Sequence, residues 1–157
     1  MNERRFDYHA ASIPEQIEQF KKDMLKEQMV EEMVKNGVFV DANGIKNTIE
    51  DVDMNNLPCI KQIKTSEAWI KLHTRSIKTI STTQTSYGLK HIVENWGEFL
   101  NTNFNTDIFA YYVSNGAFII AAQNMGYSPY RIKNSLNARF RMKIKYSSYN
   151  IQINRYK

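Results

Sequence analysis

The chain has 157 residues, 42% apolar and 24% charged, which allows one ordinary domain or two very small ones and excludes a disordered chain. Its single cysteine, Cys59, excludes an internal disulfide or a thiolate metal cluster, and no apolar run nears the roughly 20 residues that span a bilayer. The net charge of +5 is unevenly spread: residues 1–68 hold 9 Lys/Arg against 13 Asp/Glu, net −4, and residues 69–157 hold 12 against 3, net +9. Such a split points to a polyanionic or acidic partner for the basic half. It also suggests two segments, an acidic one over 1–64 and a basic one over 65–157, whether separate or packed as one domain.

Residues 1–8 are charged and lack the apolar stretch of a signal peptide, so the expectation is a cytoplasmic protein. Ser12 and Glu15 form a capping box with Pro14 in the first turn, and Ile17, Phe20, Met24, Leu25, Met29, Met33 and Val34 recur at helical spacing. Asn36-Gly37 ends this helix, which is expected to be amphipathic and packed along its apolar side. A short strand over 38–40 meets the turn signal Asp41-Ala42-Asn43-Gly44. Residues 45–64 carry no clear period but hold the acidic knot Glu50, Asp51 and Asp53. These carboxylates suit solvated loop charge, or an acidic contact with a basic groove on a partner. A short helix over 66–73 would turn Trp69 and Leu72 inward, and the polar run 79–86 reads as a linker or exposed loop.

The second half is clearer. Tyr87, Leu89, Ile92, Val93, Trp96 and Leu100 make an amphipathic helix capped by Thr85 or Ser86. Ser114 or Asn115 opens another over 117–125, closed by Gly126, and Ser128-Pro129 is a start signal for a third over about 129–135. Ala122, Gly126 and Ile132 sit where a helix-turn-helix needs its small residue, turn and anchor, and a basic hairpin after it would serve as a wing. In that arrangement Tyr130, Arg131, Lys133 and Asn134 would face the major groove. The plainer alternative is two packed helices joined by a glycine turn.

Ala138, Phe140, Met142, Ile144 and Tyr146 alternate with Arg139, Arg141, Lys143 and Lys145, the pattern of a strand with one apolar and one basic face. Tyr149, Ile151 and Ile153 alternate again, so the end of the chain reads as a β-hairpin and the fold class as α+β. Alternate strand side chains lie roughly 6.7 Å apart, near the spacing of phosphates along a nucleic-acid strand. Tyr130, Tyr146 and Tyr149 add surfaces on which bases stack. The competing reading is a solvated face whose charges block edge aggregation. His9, His73 and His91 lack metal-ligand spacing, Cys59 has no base beside it, and no glycine loop cradles a phosphate. The expectation is a non-enzymatic protein with no cofactor and no metal.

Three stretches carry a resemblance: Ser86-Tyr87-Gly88-Leu89-Lys90-His91-Ile92-Val93-Glu94; Tyr112-Val113-Ser114-Asn115-Gly116-Ala117-Phe118-Ile119-Ile120-Ala121-Ala122 with Gly126-Tyr127; and Asn137-Ala138 with Phe140. Together, over roughly residues 73–142, they resemble small proteins of phages, plasmids and genomic islands of low-GC bacteria. The whole chain is most similar to the staphylococcal anti-CRISPR proteins that inhibit Cas9. That resemblance implies a non-catalytic inhibitor whose partner is Cas9 or the Cas9–guide RNA complex, blocking DNA entry, PAM reading or the nuclease domain. The family has no shared catalytic motif, so it assigns no residue a role. A duplex mimic would be strongly acidic, and this chain is basic. The alternative from the residues themselves is a winged-helix regulator that binds duplex DNA.

Overall fold

The computed structural model describes residues 12–145, an α+β chain that divides into two units, Met1–Gly37 and Val38–Lys157. Residues 38–64, grouped by charge with the N-terminal helix, therefore belong to the second unit. No helix among the described residues is long and apolar enough to cross a membrane.

The first unit is helix α1, Ile13–Asn36. Ser12 caps it by accepting from the Glu15 N–H at 3.4 Å, and Gly37, at φ +67°, closes it by donating to the Met33 carbonyl. At about 100° per residue the apolar side chains do not form one stripe. Ile13, Ile17, Phe20 and Met24 share one line, whereas Leu25, Met29 and Met33 lie far round the cylinder. Ile17, Phe20, Met24, Leu25 and Val34 are exposed and Met33 is buried, so the seven do not share one face as expected.

The second unit opens with an antiparallel hairpin, β1 (Phe39–Asp41) and β2 (Gly44–Lys46), which pairs Val40 with Ile45. A 3-10 turn over Ile49–Asp51 leads to α2, Ile60–His73. This helix begins six residues before the expected start. The Thr65 and Ser66 hydroxyls donate backwards to the Lys61 and Gln62 carbonyls at 2.8 and 2.9 Å, so both residues lie inside the helix and not at its start. Trp69 is fully buried as expected, but Leu72 is 56% exposed, since the buried line runs through Ile63, Ser66 and Ile70.

Strand β3 (Thr74–Ser76) follows at once, and loop 77–85 leads to α3, Ser86–Asn103, capped by Thr85. Helix α4, Asn115–Asn124, is capped by Ser114, whose Oγ accepts from the Ala117 N–H at 3.1 Å. Its Gly-Ala-Phe-Ile-Ile-Ala-Ala run is apolar all round, the mark of a central helix, and it packs on α2, α3 and the β1–β2 hairpin. Gly116 lets the hairpin touch it: a Cβ there would collide with the Asp41 carbonyl. Trp69, Phe118 and Phe140 form the aromatic centre, with ring centroids 6.3 and 5.9 Å apart along the chain of contacts.

The expected helix over 129–135 does not form. Tyr130–Arg131 is strand β4, paired with β5 (Ala138–Arg139), and Asn134 turns the chain at φ +59°. Seven residues are too few to repay helix nucleation, and the strand pairing satisfies the same backbone groups. The helix-turn-helix reading falls with it. Strand β6 (Met142–Ile144) pairs antiparallel with β3. The segment 138–145 keeps its alternation but is two short strands, because its partner changes from β4 to β3 at Phe140 and Arg141. There the loop after β3 holds it, with the Ile77 and Ser81 N–H groups donating to the Arg141 and Phe140 carbonyls. Tyr146, at the end of the first strand of the expected C-terminal hairpin, and the second strand with Tyr149 lie outside the described residues.

Candidate nucleic-acid interface

The alternation over 138–145 does what its pattern implies. Ala138, Phe140, Met142 and Ile144 are buried, while Arg141, Lys143 and Lys145 are exposed and Arg139 is half-buried. The strand pairing adds a cation absent from the sequence-based site. Arg75 of β3 stands opposite Lys143 of β6, and both are exposed. No salt bridge among the described residues involves Arg75, Arg139, Arg141, Lys143 or Lys145. The ladder draws on two acid-free stretches, residues 68–93 and 108–157, so no carboxylate lies nearby in the chain to neutralise it.

The other contacts of these side chains are local. The Arg141 guanidinium sits 5.4 Å from the centre of the Tyr130 ring, a cation–π contact that holds it over the β4–β5 hairpin. Lys145 donates from Nζ to the Leu72 carbonyl at 3.3 Å. The buried Nε of Arg139 has no hydrogen-bond partner among the described residues. Arg131, Lys133 and Asn134 are exposed around the β4–β5 turn, beside a half-buried Tyr130, so they extend the basic surface without forming a reading helix.

Between β3, β6 and the following loop lies an open groove of about 670 Å³. Arg75, Ile77, residues 79–84 and Met142, Lys143 and Ile144 line it. Nothing in the sequence pattern marked it, since a three-residue strand shows no period and its walls come from distant parts of the chain.

The remaining candidates are the acidic knot and the His91–Glu94 pair. Glu50, Asp51 and Asp53 are exposed, with Asp51 accepting from Thr48 Oγ1 at 3.1 Å and Asp53 from the Asn55 N–H at 2.9 Å. No group of three or more His, Cys, Asp or Glu among the described residues is placed to hold a metal ion. His91 and Glu94 do share a helix face, 2.8 Å apart, within a packing network. Glu94 Oε1 accepts from Lys90 at 2.9 Å and from the Val113 N–H at 3.0 Å, and the buried Lys90 ammonium lies 4.7 Å from the centre of the Tyr112 ring. Burial would raise the Glu94 pKa, but the bonds from Val113, Lys90 and His91 outweigh it and hold it below the usual value.

Comparison with protein-family profiles, curated proteins and solved structures found no match.

Proposed function

We propose that this chain is a non-enzymatic binding protein that grips a nucleic-acid backbone with the outer face of β3 and β6, and so inhibits a Cas9–guide RNA complex in the cytoplasm of a bacterial host. The reading rests on one observation: Arg75 and Lys143 stand side by side in solvent without a carboxylate, flanked by Arg141 and Lys145. Like charges placed opposite on a strand pair repel. A polyanion relieves that repulsion and releases its own counterions in doing so. The likeness of the three stretches to staphylococcal anti-CRISPR proteins supplies the partner, and the guide RNA supplies the polyanion. Sequence-blind phosphate contact is favoured over base reading in duplex DNA, because the segment 129–135 is strand and turn.

Cleavage of target DNA by a guide-loaded Cas9, with and without the protein, tests the reading. The expectation is inhibition by the native chain and loss of inhibition and of RNA binding in R75E/R141E/K143E/K145E, whose four sites are exposed. Undiminished cleavage with the native chain removes Cas9 as partner. Full inhibition by the variant removes the basic face as the means.

A further inference from the structure

The basic ladder alone would suit any polyanion, but the groove beside it is more selective. Alternate strand residues share a face, so Arg75, and Ile77 just past β3, point to the same side as Lys143. The same groove is lined by Ile80, 36% exposed within the polar run Thr79-Ile80-Ser81-Thr82-Thr83-Gln84. Two exposed cations, the half-buried Ile77, the exposed Ile80 and a run of hydroxyls and an amide therefore line one space. The side chains of Thr82, Thr83 and Gln84 have no hydrogen bonds among the described residues, whereas Ser81 Oγ accepts from the Gln84 N–H at 3.3 Å.

We infer that this groove takes one unstacked nucleotide of a single-stranded nucleic acid, the base against Ile77 and Ile80, its edge toward residues 81–84, and its phosphate on Arg75 and Lys143. The inference rests on the backbone-gripping reading above and names what that face selects. A nucleobase has flat apolar faces and a polar edge, and extruded bases are held between apolar side chains with hydrogen bonds to that edge. The hydroxyls and amide both donate and accept, which suits any base. In a duplex the bases are stacked inside and cannot enter such a slot, so the strand must be single. An acidic peptide would satisfy the cations and the hydroxyls but offers no flat apolar ring to Ile77 and Ile80. A groove of about 670 Å³ lies within the range of small-ligand sites, roughly 300–1,000 Å³.

The test is fluorescence anisotropy of the full chain with a short single-stranded RNA, the same strand made abasic, and the matching duplex. The intact strand should bind about tenfold more tightly than the abasic one, and Ile80→Ser should erase that difference while leaving duplex binding unchanged. A strand carrying a photoreactive thiouridine should crosslink within residues 77–84 of the unaltered protein. Equal affinity for intact and abasic strands, or crosslinks confined to other segments, overturns the inference. Displacement of the RNA by polyglutamate as readily as by unlabelled RNA overturns it in favour of an acidic peptide. If R75E/R141E/K143E/K145E abolishes RNA binding while abasic and intact strands bind the native chain alike, the gripping face survives and the nucleotide slot does not. If the charge variant binds RNA undiminished, both fall.

Discussion

Arg75 and Lys143 face each other across the β3–β6 pair, in a register that leaves both side chains exposed and neither in a salt bridge among the described residues. In an antiparallel pair such residues have Cα atoms about 5 Å apart. Like charges set opposite each other on a strand pair repel, so this register costs the fold a little stability.

Reversing one charge separates stability from binding. Lys143→Glu converts a repulsive cross-strand pair into an attractive one, so the unfolding free energy should rise by about 0.2–1 kcal/mol at low salt. Polyanion binding should weaken in the same variant. Arg75→Glu should behave alike, and R75E/K143E, which sets Glu against Glu and so restores like-charge repulsion, should lose the gain. Urea unfolding of the four proteins forms the double-mutant cycle, and a gain that persists in the double variant contradicts the pairing.

The Lys90–Glu94 pair is the reverse case, a charge contact that holds the fold. Glu94 ties the buried Lys90 ammonium to the Val113 N–H, and so fixes the chain before α4 against α3. Glu94→Ala strands a buried cation and should cost about 3–5 kcal/mol. K90M/E94A should cost less than E94A alone, because no unpaired charge remains. Equal losses in urea unfolding would show that the carboxylate serves only Val113 and His91.

What the sequence made legible was local. Ser12, Thr85 and Ser114 are caps and Gly37 is a stop, because a cap acts within four residues of itself. The alternation over 138–145 correctly separates buried from outward residues, because that period needs no knowledge of the partner strand. Pairing was not legible. Ser128-Pro129 is a genuine local start signal, overridden when Tyr130 paired with Arg139. The true start of α2 carries no local signal, since Cys59 makes no side-chain cap bond there. Arg75 escaped notice because β3 is three residues long and its partner lies far along the chain. The groove is a product of that pairing, so no window of sequence contains it.

His73 links the core to the basic face, and its titration should be visible in stability. The ring packs between Trp69 and Trp96, with centroids 6.1 and 5.7 Å away. Burial first, and the nearby Lys145 ammonium second, lower its pKa from the ordinary 6.5. The folded chain therefore prefers the neutral ring, and the unfolded chain binds the proton more readily. That contribution to stability is fully present above pH 6.5 and is lost as pH falls below 6.5 through the depressed folded value. Urea midpoints should drop across this window in the native chain, and the slope should shallow in Lys145→Met, where the repelling charge is gone. His73→Gln should abolish that part of the slope. A slope unchanged in His73→Gln would assign the acid sensitivity to another group, and not to Glu94, whose contribution is fully present above the ordinary 4.5 and is lost only as pH falls below it through the depressed folded value.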